Sequence, residues 1–266
     1  MSDPLKNDAL FSVADQVVLV SGGSRGIGRA LAAGFAARNA RVIITGREQM
    51  TLDETAQAIS TGAYPVATRV CDVSDTTAID KLVPDLEQEF GRIDTLINVA
   101  GVNIRKKMET YTPAEYDHIV DINLRGLFFL CQRVGQGMIA RKSGNIISID
   151  SLNSRAPLLG VLPYAISKGG VSILTRGLAN EWGQHNIRVN AIAPGFILTD
   201  LTQKLWSDEK MQAWGIPNTP LRRLGRVEDL VGAALFMASS ASAFMTGQVV
   251  YVDGGITAGM NWPIPL

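Results

Sequence analysis

Val17-Val18-Leu19-Val20-Ser21-Gly22-Gly23-Ser24-Arg25-Gly26-Ile27-Gly28 decides the fold of this chain. Its first four residues are all apolar, the pattern of a short strand buried on both faces. The run passes directly into glycines at positions 22, 26 and 28, a G-x-x-x-G-x-G spacing rather than the commoner G-x-G-x-x-G. Beyond it Ile27, Ala30, Leu31, Gly34 and Phe35 recur at helical spacing and mark one side of a helix. Strand, glycine turn and helix together make a phosphate-binding unit. Glycine lets the main chain approach a pyrophosphate, and a helix N-terminus offers unpaired N–H groups at its positive end. Gly22, Ser24, Arg25, Gly26, Ile27 and Gly28 are the expected cofactor-facing residues of this turn.

Similar units follow. Residues 41–45 (RVIIT) read as a second strand, ending in Gly46-Arg47. An acid at such a strand end bonds the ribose 2′-hydroxyl of a dinucleotide, whereas arginine accommodates a 2′-phosphate. Arg47, with Arg25 from the glycine turn, favours NADP(H) over NAD(H); the competing readings are a solvated Arg47, or Glu48 serving a ribose hydroxyl. A helix over 49–59 and a strand over 64–70 lead to Asp72-Val73. Asp72 is placed either to bond an adenine amino group or to cap the next helix, for which Ser74 or Asp75 is better suited. After a helix over 76–90 comes a fourth strand and turn, Asp94 to Gly101, with Asn98 and Ala100 within it. Thr112, Pro113 and Glu115 open a helix carrying Ile119, Ile122 and Asn123. A second helix is expected over 124–138, a fifth strand over 145–149, and a helix over 164–182. A sixth strand over 188–193 ends in Pro194-Gly195. Residues 196–224, less periodic and holding Trp206 and Trp214, read as a substrate lid. A last helix over 227–239 and a seventh strand over 248–252 complete the pattern. The alternation predicts one α/β domain over 1–266: a doubly wound, mostly parallel seven-stranded sheet of Rossmann type with helices on both faces.

Ligands of open α/β sheets bind outside the carboxyl ends of the strands. The stretch IDSLNSRAPLLGVLPYAISK, residues 149–168, leaves the fifth strand at that edge. Ser151 lies just past the strand. Tyr164 and Lys168 stand four residues apart and share a helix face. A phenol titrating near ~10 is a poor base at neutral pH, and a neighbouring cation favours the phenolate. Hydroxyl, phenol and lysine together can hold and protonate a carbonyl oxygen, or take the proton from an alcohol. Arg105, four residues after the fourth-strand turn, and Arg155, four after Ser151, rise around the same place, with Asn153 between Ser151 and Arg155. Either arginine suits a substrate carboxylate, and Asn153 suits sugar hydroxyls.

Composition narrows the partners. Of 266 residues, 46% are hydrophobic, enough for one large core. Basic and acidic residues balance at 25 each, so no field draws nucleic acid or an anionic membrane. Two cysteines, Cys71 and Cys131, sit in apolar contexts and read as buried free thiols of a reducing compartment. No apolar run approaches the ~20 residues of a membrane span, and the opening MSDPLKNDALFSVADQ lacks the apolar core of a secretion signal. A cytoplasmic enzyme without metal is expected; His118 and His185 read as ordinary helix or loop residues.

The glycine turn, Asp72-Val73, Asn98-Val99-Ala100-Gly101, Asn123, Ser151, Tyr164, Lys168, and Pro194-Gly195 with Thr199 stand in the order of the short-chain dehydrogenase/reductase family. The chain resembles that family from Val17 to Gly255. Ser21 stands where threonine is common, and Val99 where the family's turn has a second asparagine. The resemblance implies that Tyr164 is the acid/base, that Lys168 lowers its pKa and bonds the nicotinamide ribose, and that Ser151 holds the substrate oxygen. It also implies that Asn123 holds a water joining Lys168 to solvent, that Asp72 contacts adenine, and that Asn98 serves the cofactor side of its strand. Val73, Ala100, Gly101, Pro194, Gly195, Ile197 and Thr199 would complete the cofactor site, Thr199 at the nicotinamide amide. Within the family the chain is most similar to gluconate 5-dehydrogenase-like and to sugar and polyol dehydrogenases, on Gly101-Val-Asn-Ile-Arg-Lys-Lys107 and the ending Asp253-Gly-Gly-Ile-Thr-Ala258. A 3-oxoacyl carrier-protein reductase shares every catalytic residue and is the alternative; a cofactor-binding regulator without catalysis is the reading from another class. A homotetramer is implied, with the apolar tail NWPIPL docking on a neighbour.

Overall fold

Seven strands pair into a single parallel sheet: β1 (Val17–Ser21), β2 (Arg41–Gly46), β3 (Ala67–Val70), β4 (Thr95–Asn98), β5 (Gly144–Ile149), β6 (Ile187–Pro194) and β7 (Val249–Val252). Their spatial order is β3-β2-β1-β4-β5-β6-β7, so the direction of winding reverses between β1 and β4. The structure, a computed structural model, describes residues 9–259. The NWPIPL tail at 261–266 lies outside the described residues.

Both faces of the sheet are covered, which explains the unbroken apolar runs of its strands. Side chains alternate across a strand. Val18 and Val20 of β1 join Ile44, Ile97 and Ile192 in one core, closed by α1 (Gly26–Ala36), α2 (Gln49–Ile59) and α9 (Val231–Ala238) through Leu31, Phe35, Leu52 and Leu235. Val17 and Leu19 join Ile43, Leu96 and Ile146 in a second core on the opposite face. That core is closed by α3 (Thr76–Phe90), α5 (Leu127–Arg141) and α6 (Leu162–Trp182) through Ile79, Leu86, Leu130, Val134 and Val171.

Local signals act as their chemistry dictates. Asp75, not Asp72, caps α3 by accepting from the Thr77 N–H at 2.9 Å. Thr112 and Glu115 form a reciprocal capping box on α4 (Pro113–Val120). The two helices expected on either side of Leu124 instead form one continuous path: α4 runs through a π turn, Asp121–Gly126, into α5. The strand expected from residue 64 begins at Ala67, because Tyr64 turns aside to bond Asp15 at 2.5 Å and to lie under the Arg41 guanidinium. The helix bearing Tyr164 starts earlier than expected, at Leu162, with Pro163 in its first turn. The last helix is split, its first turn tightened to 3-10 geometry over Val227–Leu230. Residues 196–224 contain two helices, α7 (Asp200–Trp206), capped by Thr199, and α8 (Glu209–Asn218), capped by Asp208. Trp206 and Trp214 place their rings 4.9 and 5.6 Å from that of Phe196, which packs this segment onto the end of β6.

Candidate active site

The glycine turn is fixed by its neighbours. Gly22 and Gly23 both donate N–H to Thr45 O at 3.0 Å, and Thr55 Oγ1 of α2 holds Ser24 O at 2.7 Å. Gly22 has φ +81°, and a Cβ there would stand 2.6 Å from the Ala100 nitrogen; one on Gly28 would stand 2.0 Å from Gly22 O. Only glycine lets β1, the β4 turn and α1 approach this closely. Arg25 is the N-cap of α1 and puts no side-chain acceptor on its first N–H groups. Those groups stay open at the positive end of the helix, which is what a pyrophosphate requires. Arg25 and Arg47 are both exposed, and a Cβ on Gly46 would lie 3.4 Å from Ser24 Oγ, so the end of β2 adjoins the turn. Thr199, the N-cap of α7, reaches over it, 3.6 Å from a Cβ built on Gly26.

Other predicted residues divide between cleft and scaffold. Asp72 accepts from Ser74 N and Oγ at 2.9 and 2.7 Å. Val73 is buried and its carbonyl packs on Gly126, at the start of α5. Asn98 turns its amide between Cys131 Sγ and Ser148 Oγ, both at 3.3 Å, inside the second core. Ala100 donates to Ser21 O at 3.0 Å, and Gly101 is exposed beside Asn123. Pro194 ends β6, Gly195 lies against Asp253, and Ile197 bridges to Gly225.

The reactive groups meet at the carboxyl end of β5. Asn123, buried in the π turn, accepts from Val102 N at 2.7 Å and donates to Val102 O and to Ser167 Oγ at 2.9 and 3.1 Å. Ser167 in turn donates to Tyr164 O at 2.7 Å, which ties the β4 loop to the first turn of α6. Ser151 Oγ accepts from the N–H and the side-chain amide of Asn153 at 3.1 and 3.2 Å. With its lone pairs taken, the Ser151 hydroxyl has its proton left to give outward, toward Tyr164. Lys168, on α6, is buried and donates from Nζ to Ile149 O at 2.6 Å, with Nζ 5.7 Å from the centre of the Tyr164 ring.

The electrostatics oppose one expectation, a phenol lowered by Lys168. Burial pushes the Tyr164 phenol above the ordinary value, with Asp150 adding to the rise and the Ser151 hydrogen bond opposing it. Burial also pushes Lys168 down to about 8. An ammonium whose nearest polar contact is a carbonyl does not by itself outweigh desolvation of the phenol.

The two arginines take different positions. Arg155 is exposed, and its guanidinium lies over the Tyr251 ring at 5.6 Å. Asn153 is engaged within its own loop, where its Oδ1 accepts from Leu158 N at 2.9 Å. Arg105 is exposed beside Gly160, in the loop that leads to Tyr164. There the β4 and β5 loops are joined. Lys106 N donates to Gly160 O at 2.9 Å, and Tyr111 Oη lies 2.5 Å from Ile104 O and 3.2 Å from Gly160 O. Lys106 Nζ then pairs with Glu115 at 2.8 Å and holds its carboxylate down near about 2. A cavity of about 170 Å³ lies elsewhere, between Phe196, Thr219 and Asp253. A more open depression of about 350 Å³ runs along α7 beside Leu198, Thr199 and Gln203.

Sequence reasoning missed Asp150. It follows the apolar run of β5 directly, and a charged residue at the end of a buried strand was the signal that could have found it. Among the described residues no group of three or more His, Cys, Asp or Glu is placed to hold a metal ion, and no helix is long and apolar enough to cross a membrane.

A family model described as enoyl-(acyl carrier protein) reductase matches residues 22–257. The chain is 40% identical to gluconate 5-dehydrogenase of Gluconobacter oxydans, over 94% of this chain and 98% of that one. It is 35% identical to 5-keto-D-gluconate 5-reductase of Escherichia coli, over 93% and 97% of the two chains. The crystal structure of a gluconate 5-dehydrogenase from Burkholderia cenocepacia in complex with NADP and tartrate superposes with a TM-score of 0.91 at 34% identity, covering 95% of this chain and 99% of that one.

Proposed function

Because the chain belongs to the short-chain dehydrogenase/reductase family, we propose that this oxidoreductase moves a hydride between NADP(H) and a secondary alcohol or carbonyl of a sugar acid. The observation that carries the reaction is the meeting of Ser151 and Lys168 at Tyr164, at the sheet edge where the uncapped N-terminus of α1 also lies. The bound nicotinamide supplies the hydride acceptor or donor; proton and position are the protein's part. Tyr164 Oη takes the hydroxyl proton when the alcohol is oxidised and returns it when the ketone is reduced. Ser151, its oxygen held by Asn153, donates to the same substrate oxygen and keeps it in reach of Tyr164. Lys168 has N–H groups beyond the one on Ile149 O and bonds the nicotinamide ribose with them. Asn123 locks the β4 loop to α6, so the floor of the site does not shift during transfer.

The substrate class rests on two supports. The relatives carry the names of sugar acids, gluconate and 5-keto-D-gluconate. Arg105, exposed beside the loop to Tyr164, offers a planar guanidinium to a carboxylate. Arg155, drawn over Tyr251, serves as the comparison.

The test is a panel of sugar acids, matching polyols and ketoacyl thioesters with NADPH, NADH and their oxidised forms. Sugar acids are expected to turn over best with NADP(H). Arg105→Ala should then lose roughly tenfold or more in kcat/KM on the acid and little on the polyol. Equal losses on both substrates would reject the carboxylate grip. Thioesters as the preferred substrates would reject the sugar-acid reading and leave the hydride chemistry standing.

A further inference from the structure

We propose that Asp150 is a positioning residue, a buried carboxylate that keeps the Lys168 ammonium charged behind Tyr164. The inference rests on the reading that Lys168 serves Tyr164 and the cofactor ribose.

Asp150 is 1% exposed. Its Oδ2 accepts from Ser172 Oγ at 2.6 Å and from Ser154 Oγ at 2.9 Å, while Oδ1 is buried without a hydrogen-bond partner. Burying an acid is costly, and the fold does not need one here. An asparagine, with its neutral amide oxygen at the same reach, could also accept from Ser172 and Ser154. The charge acquires a purpose in its neighbourhood. Lys168, 4% exposed, donates to the carbonyl of Ile149, the residue next to Asp150 in the chain. A lysine buried without a counter-charge sheds its proton. Asp150 makes no direct ion pair with Lys168, so its influence is that of a field across the strand end.

The groups that face Asp150 are few. From α6 come Lys168 and Tyr164, both within its field. From β7 comes Tyr251, reached through Ser154 Oγ at 3.4 Å, with the Arg155 guanidinium over its ring. The Asp150 charge raises the pKa of Lys168, against burial, and raises that of Tyr164 as well. Burial raises Asp150 itself, opposed first by the Ser172 hydrogen bond and then by the Lys168 charge. The two effects on α6 therefore share a sign. Replacing the carboxylate by a neutral group moves both α6 groups toward lower pH.

Asp150→Asn keeps an acceptor for the two serines and removes the charge. The direct readout is the Nζ resonance of Lys168 in protein labelled with ¹⁵N-lysine, identified by its loss in Lys168→Met. Its titration midpoint is expected to fall by about one unit or more in Asp150→Asn. Asp150→Ser, smaller and also uncharged, is expected to show the same fall and carries the test if the asparagine variant does not fold. In turnover, both limbs of the pH profile of kcat/KM for alcohol oxidation should move to lower pH. A Lys168 midpoint unchanged from wild type would overturn the proposal. So would a lower rate with both limbs in place, the result of a purely structural role. A protein inactive on every sugar acid but with the shifted Lys168 midpoint would sink the substrate reading and support this one.

Discussion

Tyr164 carries the sharpest expectation at the scale of single residues. Tyr164→Phe keeps the ring and removes the proton, so turnover should drop by ~10²–10⁴ while cofactor affinity, read by fluorescence titration, stays near that of wild type. Retained turnover would exclude the phenol as the proton carrier. Arg25 and Arg47 flank the joined ends of β1 and β2. Charge-assisted bonds to a 2′-phosphate contribute about 1.5–3 kcal/mol, so Arg25→Ala or Arg47→Ala should weaken NADPH roughly tenfold or more and leave NADH almost unaffected. Equal weakening of both would assign the arginines to the shared pyrophosphate. Cys71 and Cys131 are buried free thiols, raised by desolvation to about 11 and about 12. At pH 8 neither should react with Ellman's reagent until the protein is denatured. Because their folded values lie above the unfolded ones, these thiols also make the fold lose stability as pH rises past the unfolded thiol value. Ser151, Tyr164 and Lys168 were legible in the sequence because a strand end and a helical period fix where each points. Asp150 was not, because spacing alone does not say which way the residue after a strand turns, and its partners Ser154 and Ser172 come from two separate segments.

The glycine turn is the element on which the cofactor reading depends. With φ at +81° and Ala100 against it, Gly22→Ala strains the backbone and pushes β4 away. A loss of about 1–3 kcal/mol in urea denaturation is expected, together with weaker binding of either cofactor. A variant as stable as wild type would mean that the β4 turn yields easily. Strand and helix positions around this turn followed from apolar period and glycine spacing, which are local. Two elements escaped that logic. The π turn at Asp121–Gly126 adds a residue to the helical repeat, so the apolar stripes of α4 and α5 fall out of phase and read as two helices. The pair α7 and α8 has little apolar period, because its packing is aromatic: Phe196 takes both tryptophans. Their caps, Thr199 and Asp208, were the local signal.

For the molecule as a whole, α5 and α6 leave Phe128, Ile166 and Ile173 exposed at 41, 47 and 65%. We propose that these faces pair across a two-fold axis in a homotetramer. Light scattering at micromolar concentration should give a multiple of the 28.6 kDa chain, and Ile173→Asp should reduce it. A wild-type mass near that of one chain would reject the pairing. Around each site, the joint between the β4 and β5 loops uses main-chain atoms at nearly every point, namely Lys106 N, Gly160 O and Ile104 O, with Tyr111 as the exception. Arg105 and the fully exposed Leu159 stand on that joint without holding it. Descendants of this chain are therefore free to exchange those two side chains, and with Arg105 the proposed grip on a carboxylate, while the loops keep their course over the groups around Tyr164.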